Sequence, residues 1–128
     1  MDLAEFLRHE TDYFVVPSGE YIFHEGAPAD SMYVIIEGTA EIRVGGRVVE
    51  VSGSGRLIGE MALIDNGPRT ATVRALTQCK LLPIDKQRFH SLVTEDPQFA
   101  THVMKVMAGR LRQTDYLVAE DSAVEKPS

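Results

Sequence analysis

Short apolar runs, separated by glycine and proline, dominate the pattern of the first two thirds of the chain. Runs rich in β-branched and aromatic residues occupy positions 13–17, 21–23, 32–36, 40–44, 48–51, 71–75 and 79–84. Runs of this length with such punctuation predict strands, and many short strands indicate a sandwich or a barrel. Leu3, Phe6 and Leu7 stand at helical spacing and predict one short helix before the strands.

A tight hairpin is predicted in the middle of this strand-rich region. Charged and apolar residues alternate over positions 41–51, on both sides of the dipeptide Gly45-Gly46. Two glycines accept the positive φ angles of a two-residue hairpin turn. We therefore expect two antiparallel strands joined at Gly45 and Gly46.

Beyond residue 84 the spacing of apolar residues becomes helical. Asp85 is suited to cap a first helix, and Asp96 followed by Pro97 is the start signal of a second, longer one. The second helix carries an apolar stripe made of Phe99, Val103, Met107 and Leu111, with Met104 and Val106 beside it. Such a stripe must pack against something, either the chain's own barrel or the same helix of a second copy in a homodimer.

Composition and charge narrow the classes of function. The chain has 128 residues, 44% of them hydrophobic and 25% charged, which is the balance of one globular domain. We assign this domain to residues 1–118 and expect a frayed polar tail over 119–128. A net charge of -6 argues against binding to long nucleic acids, because neutralising their phosphates needs clustered Lys and Arg.

Targeting signals and cysteine content predict the compartment. The chain contains one cysteine, Cys79, so it forms no internal disulfide, and we expect a small buried apolar residue there. It contains neither a signal-peptide pattern nor a long apolar run that would cross a membrane. We therefore predict a cytoplasmic protein.

The stretch 58–73 contains the candidate chemistry. Gly59 has no Cβ to block a ligand, and a short helical turn over 61–64 would direct unpaired backbone N–H groups at an anion. Arg69 can supply a permanently charged, two-pronged donor to the same anion. Glu60 only accepts hydrogen bonds and suits a sugar hydroxyl, which has a proton to donate. Together these residues predict a small phosphate site with a sugar-binding group beside it.

Segments 59–64 and 68–73 resemble the phosphate-binding cassette of cyclic-nucleotide-binding domains, in particular those of the bacterial cAMP receptor protein family. Gly19, Gly26 and Gly38 also stand where that family places turn glycines, so the resemblance covers nearly the whole chain. It implies a mainly β fold, a jelly-roll-like β-roll with a short N-terminal helix and two C-terminal helices. It further implies a cyclic-nucleotide sensor and not an enzyme.

The resemblance also implies roles for individual residues. Glu60 would bind the ribose 2′-hydroxyl, Arg69 the cyclic phosphate, Thr70 the phosphate or the base, and Thr114 the adenine amino group. The phosphate cradle would be completed by the backbone of Gly59, Ala62 and Leu63. With Met61 and Ala71, these residues form the candidate ligand-binding set.

Two choices stay open at this level. The first is the nucleotide: Thr114 favours cAMP, a hydroxyl at Thr70 would serve cGMP equally well, and either threonine could have a purely structural role. The second is the class of function. A barrel that has lost its ligand would be a protein-interaction module, although the presence of both Glu60 and Arg69 argues against this.

An enzyme is the third class, and the sequence argues against it. A metal-dependent barrel enzyme would need clustered ligands, whereas the histidines are scattered at His9, His24, His90 and His102. We expect neither catalytic residues nor a metal or other cofactor. As a sensor, the chain would move its C-terminal helices on binding and signal to an unidentified effector protein or domain. Because no helix-turn-helix follows these helices, we expect no direct DNA binding by this chain.

Overall fold

Two four-stranded antiparallel sheets and four helices make up residues 2–7 and 9–125, which the computed structural model describes, with side chains described for 2–7 and 9–112. The helices are α1 Leu3–Phe6, α2 Met61–Ile64, α3 Lys86–Glu95 and α4 Pro97–Glu125. The strands are β1 Phe14–Val16, β2 Tyr21–Phe23, β3 Ser31–Glu37, β4 Ala40–Val44, β5 Arg47–Ser52, β6 Leu57–Ile58, β7 Thr72–Ala75 and β8 Cys79–Asp85. The predicted fold class is confirmed, whereas the sequence analysis missed the two-residue strand β6.

The inner sheet, with strand order β1-β8-β3-β6, is covered on both faces. On β3, Met32 and Val34 pack toward helices α1, α3 and α4, whereas Ile35 packs toward the other sheet. On β8, Leu82 packs toward the helices and Leu81 packs toward the other sheet. A strand that is buried on both faces has no polar side, which explains the apolar runs 32–36 and 81–84 within these two strands.

The outer sheet, with strand order β2-β7-β4-β5, packs one face on the inner sheet. Strands β4 and β5 form the predicted hairpin, and Gly45 and Gly46 have φ angles of 59° and 79° at its turn. Cys79 is fully buried between the sheets, as predicted, and this burial raises the pKa of its thiol. The outer sheet and the cassette region together form the walls of the candidate site.

The two C-terminal helices begin at the predicted caps and pack on the inner sheet. The Asp85 carboxylate accepts a hydrogen bond from the backbone N–H of Arg88 at 2.8 Å, and the Asp96 carboxylate accepts one from that of Gln98 at 3.0 Å. On α4, Phe99 is fully buried. The first part of the predicted stripe therefore packs on the chain's own barrel.

Further along α4 the stripe is less buried, although Met107 still packs against the core. Val103 is 2% exposed, whereas Met104 is 60% and Leu111 is 64% exposed. Within residues 2–7 and 9–125, none of the helices combines the length and apolar character needed to cross a membrane.

Candidate ligand-binding site

The cassette connects β6 to β7 and contains the single-turn helix α2. Gly59, just before α2, has a φ angle of 76°, a conformation that residues with a side chain rarely adopt. A Cβ at this position would collide with Nη1 of Arg69 and would lie 3.3 Å from the ring of Phe23. The absence of a side chain at Gly59 therefore lets the Arg69 guanidinium lie directly against the cassette backbone.

Arg69 is a buried cation, with only 6% of its surface exposed. Its guanidinium carbon lies 4.1 Å from the ring centroid of Phe23 and 5.4 Å from that of Tyr33, and Nη1 donates a long hydrogen bond of 3.3 Å to the carbonyl of Gly59. The Nε atom is buried without a hydrogen-bond partner. Burial lowers the pKa of Arg69, although Tyr33 and the charge of Asp30 act in the opposite direction.

This environment leaves the charge of Arg69 poorly compensated. Among the described residues, no carboxylate lies within ion-pair distance of its guanidinium. Aromatic faces stabilise a guanidinium by only about 0.5–2 kcal/mol, less than the cost of removing a cation from water. An anion that reaches Arg69 would supply both the missing charge and the missing hydrogen-bond acceptor.

Glu60 is in a different situation, because it belongs to an ion-pair network. This carboxylate is 5% exposed, and its Oε1 accepts a hydrogen bond of 2.7 Å from Nη1 of Arg110 on α4. Arg110 also donates to both carboxylate oxygens of Glu50 on β5, from Nε and Nη2 at 2.9 Å each, and to the carbonyl of Leu57 at 2.5 Å. The network thus joins the cassette, the outer sheet and α4.

Charges in this network stabilise one another. Burial alone would lower the pKa of Arg110, but the hydrogen bond to Glu50 and the charge of Glu60 raise it well above its ordinary value. Burial alone would raise the pKa of Glu50, but hydrogen bonds from Arg110 and Ser52 and the charges of Arg110 and Arg56 hold it below its ordinary value. Glu50 and Arg110 therefore both remain charged at neutral pH.

Two adjoining cavities lie between the cassette, the outer sheet and α4. A small one of about 70 Å³ has Gly59 and Arg69 in its wall. A larger one of about 580 Å³ is lined by Glu50 and by apolar side chains that include Val49, Met107 and Leu111. Both cavities share the wall residues Ile42, Glu60, Met61, Thr70, Ala71 and Arg110. Such a shape suits a small ligand with an anionic end, a polar middle and a flat apolar end.

The structure brings most of the predicted site residues together. The small cavity is lined by Gly59, Glu60, Met61, Ala62, Arg69, Thr70 and Ala71. The side chain of Leu63 instead packs into the core beneath the cassette. The side chain of Thr114 lies outside the described residues.

One expectation about the cradle is wrong in this structure. The backbone N–H groups of Ala62 and Leu63 are not unpaired, since they donate to the carbonyls of Gly59 at 3.3 Å and Glu60 at 3.1 Å. The physical reason is that α2 has a single turn, whose first N–H groups find acceptors in the residues just before it. Arg69 is therefore the main donor for an anion.

Sequence analysis missed four residues that shape this site: Phe23, Tyr33, Glu50 and Arg110. Arg110 follows Met107 by three positions and therefore borders the apolar stripe, which is a weak signal for a charge directed toward the barrel. Glu50 shows no such signal, because its valine neighbours in sequence suggest a solvent-facing position. Aromatic residues at strand positions predict core packing and say nothing about an arginine.

Comparison with known proteins agrees with this geometry. The family model described as "Cyclic nucleotide-binding domain" matches residues 13–96. A CRP-like cAMP-activated global transcriptional regulator of Mycobacterium tuberculosis is 29% identical over 111 residues, which are 81% of this chain and 49% of the regulator. A cyclic nucleotide-gated potassium channel of Mesorhizobium japonicum is 38% identical over 100 residues, 78% of this chain and 26% of the channel.

A solved structure shows the same fold. The crystal structure of the Thermus thermophilus catabolite activator protein matches with a TM-score of 0.76 and 28% identity, over 87% of this chain and 55% of that chain. The chain thus spans about half the length of the regulator and of the activator, and about a quarter of the channel. These matches confirm the resemblance that the cassette residues carry.

Proposed function

The chain belongs to the cyclic nucleotide-binding domain family, and from this premise we propose that it is a sensor that binds cAMP through Arg69 and Glu60. The observation that carries this proposal is the buried Arg69 guanidinium, whose Nε has no hydrogen-bond partner and which faces a small cavity. A cyclic phosphate has one negative charge and oxygen acceptors on its outer side, so it matches what Arg69 lacks.

The rest of the nucleotide fits the order of groups along the joined cavities. Glu60 lies where they meet and would accept a hydrogen bond from the ribose 2′-hydroxyl. The base would lie in the larger, apolar cavity beside Met107 and Leu111. We favour cAMP because the mycobacterial relative is a cAMP-activated regulator. cGMP is the alternative, and the hydroxyl of Thr70, an exposed residue in the cavity wall, would serve it.

Signalling would proceed through the network around Arg110. This side chain connects Glu60 to α4, so a ligand that contacts Glu60 changes the set of contacts that holds the helix. The ligand can move α4 only by binding one helix position more tightly, with a coupling of about 1–3 kcal/mol. The output would reach an unidentified effector protein or domain, or a second copy of the chain that packs on the exposed Met104 and Leu111.

We propose binding without catalysis. The relatives named above are regulators and a channel, and the part of the chain that the structure describes contains no group of three His, Cys, Asp or Glu side chains that could hold a metal ion. The alternative function is a protein-interaction module of the same fold. Arg69 argues against that alternative, because a barrel without an anionic ligand would be better served by an apolar side chain at this buried position.

Calorimetric titration with cAMP and with cGMP tests the proposal. We expect micromolar or tighter binding, roughly -8 kcal/mol, of at least one nucleotide. Arg69→Ala should weaken it by about 2–5 kcal/mol, because the phosphate charge would be buried without a partner. Arg74→Ala is the matched control, because Arg74 is also partly buried, contacts Gly19 and Tyr21, and lines neither cavity.

Each result has a distinct meaning. Binding that survives Arg74→Ala and is lost with Arg69→Ala supports the sensor and identifies its nucleotide. No heat with either nucleotide would reject the sensor and favour the interaction module. Equal losses in the two variants would show that the effect comes from general destabilisation.

A further inference from the structure

Strand β5 directs a carboxylate into the site through a break in the hairpin register. Next to the turn, Arg43 of β4 pairs with Val48, but the following residue, Ile42, pairs with Glu50. One residue, Val49, is therefore inserted as a β-bulge, and a one-residue shift exchanges the two faces of a strand.

The shift places polar residues inside and an apolar residue outside. Glu50 and Ser52 face the interior, with 11% of the Glu50 side chain and 1% of Ser52 exposed, whereas Val51 is 57% exposed. In a regular hairpin without the bulge, Glu50 and Ser52 would face outward and Val51 would face the interior. Bulges next to binding sites often serve to redirect a side chain, and here the redirected group is the Glu50 carboxylate, in the wall of the larger cavity.

Glu50 and Glu60 contact different edges of the Arg110 guanidinium. Nε and Nη2 form a bidentate pair with the two oxygens of Glu50, and Nη1 forms the contact with Oε1 of Glu60. Ser52 also donates to Glu50, and Arg56 lies 3.8 Å from it, so the Glu50 carboxylate is itself held in place. A guanidinium prefers two parallel hydrogen bonds to one carboxylate, and in this structure Glu50 receives that bidentate pair.

We propose that Glu50 is a positioning residue for the ligand site, an inference that rests on the proposed function. By taking the bidentate edge of Arg110, Glu50 restricts Arg110 to Oε1 of Glu60 and leaves Oε2 to the hydroxyl of the ligand's ribose. When the charge at Glu50 is removed, Arg110 turns its bidentate edge to Glu60 and competes with that hydroxyl. Glu50 thus sets the affinity for the sugar without touching it.

Titration of Glu50→Gln with a cyclic nucleotide and with its 2′-deoxy analogue tests this role. We expect the variant to bind the nucleotide about tenfold more weakly than the natural chain, the effect of one charge-assisted hydrogen bond. For the 2′-deoxy analogue, which has no hydroxyl to compete, the two proteins should agree within about twofold. Glu41→Gln is the matched control, since Glu41 is a buried carboxylate on the neighbouring strand β4, paired with Arg43 and outside both cavities. It should change neither affinity.

The outcomes separate this inference from the proposed function. If Glu50→Gln weakens both nucleotides equally, or neither, Glu50 is structural and the inference is wrong. If the natural chain binds no cyclic nucleotide, the proposed function fails, and the Nε–H NMR resonance of Arg110 decides the role of Glu50. The inference requires that Glu50→Gln shifts this resonance and that Glu60→Gln leaves it in place. The reverse pattern would overturn the inference whether or not a nucleotide binds.

Discussion

Arg69 and Arg110 are two largely buried arginines in the wall of the same small cavity, and their surroundings are opposite. Arg110 donates to two carboxylates and a backbone carbonyl, and against the effect of burial the two carboxylates raise its pKa above the ordinary value. Arg69 has two aromatic rings and one long hydrogen bond, and burial lowers its pKa. The difference shows that the charge of Arg110 is compensated by carboxylates of the fold itself. Arg69, in contrast, still lacks an anionic partner and is suited to bind one.

Removing Arg110 is the most severe test of this comparison. Arg110→Met would leave Glu60 without its cation and Glu50 with only the more distant Arg56, 3.8 Å away, and we expect it to cost about 3–5 kcal/mol of unfolding free energy. Urea denaturation at neutral pH measures this loss. Arg112→Met, at an exposed position on the same helix, should stay within about 0.5 kcal/mol of the natural chain. A loss of less than about 1 kcal/mol for Arg110→Met would show that the network does not stabilise the fold.

Gly59→Ala tests whether Arg69, which packs against Gly59, belongs to the nucleotide site. The positive φ angle costs a residue with a Cβ about 1–2 kcal/mol of stability, and the added Cβ collides with Nη1 of Arg69. Gly46→Ala is the control, because its φ angle of 79° imposes the same strain while no atom lies within 4 Å of the added Cβ. Denaturation should show similar losses for both variants, and calorimetry should show weaker nucleotide binding only for Gly59→Ala. Equal binding by the two variants would contradict the placement of Arg69 in the site.

Acid should reduce the contribution of the Arg110–Glu50 ion pair to folding stability and leave the contribution of Arg69 unchanged. Folding lowers the pKa of Glu50 below its ordinary value of 4.5, so the stabilisation by its charge is complete above that pH and is lost as the pH falls through the folded-state value. The difference in unfolding free energy between the natural chain and Glu50→Gln should be about 1–2 kcal/mol at neutral pH and should shrink below pH 4.5.

Thermal denaturation across this pH range measures the difference. Arg69→Met provides the comparison, since no carboxylate pairs with Arg69 among the described residues. The change in unfolding free energy that Arg69→Met causes should not shrink as the pH falls. A Glu50→Gln effect that stays constant at low pH would contradict the ion pair.

The smallest expected effect is that of Arg69→Met on stability. Losing the contacts with the aromatic rings costs about 0.5–2 kcal/mol, but removing a buried unpaired donor regains about 1–3 kcal/mol. Without nucleotide, the unfolding free energy in urea should therefore stay within about 1 kcal/mol of the natural chain. A loss of about 3 kcal/mol or more would mean that Arg69, like Arg110, is satisfied within the fold.

Several local features could be predicted from the sequence because each depends on a few neighbouring residues. The turn at Gly45 and Gly46 and the caps at Asp85 and Asp96 belong to this group. The cassette was found in the same way, since its glycine, carboxylate and arginine lie close together in the chain. Strand β6 was missed because two residues are too few to show a periodicity.

The sequence by itself determined the mainly β fold, the cassette, and the identity of the arginine proposed to bind an anion. Only the tertiary structure decided that Arg110, 50 residues away, contacts Glu60, and that Glu50 faces inward. The physical reason is that periodicity assigns residues to the faces of their own strand or helix but does not determine the register between elements. A single inserted residue, Val49, exchanges the two faces of β5, and this exchange brings the second carboxylate to Arg110.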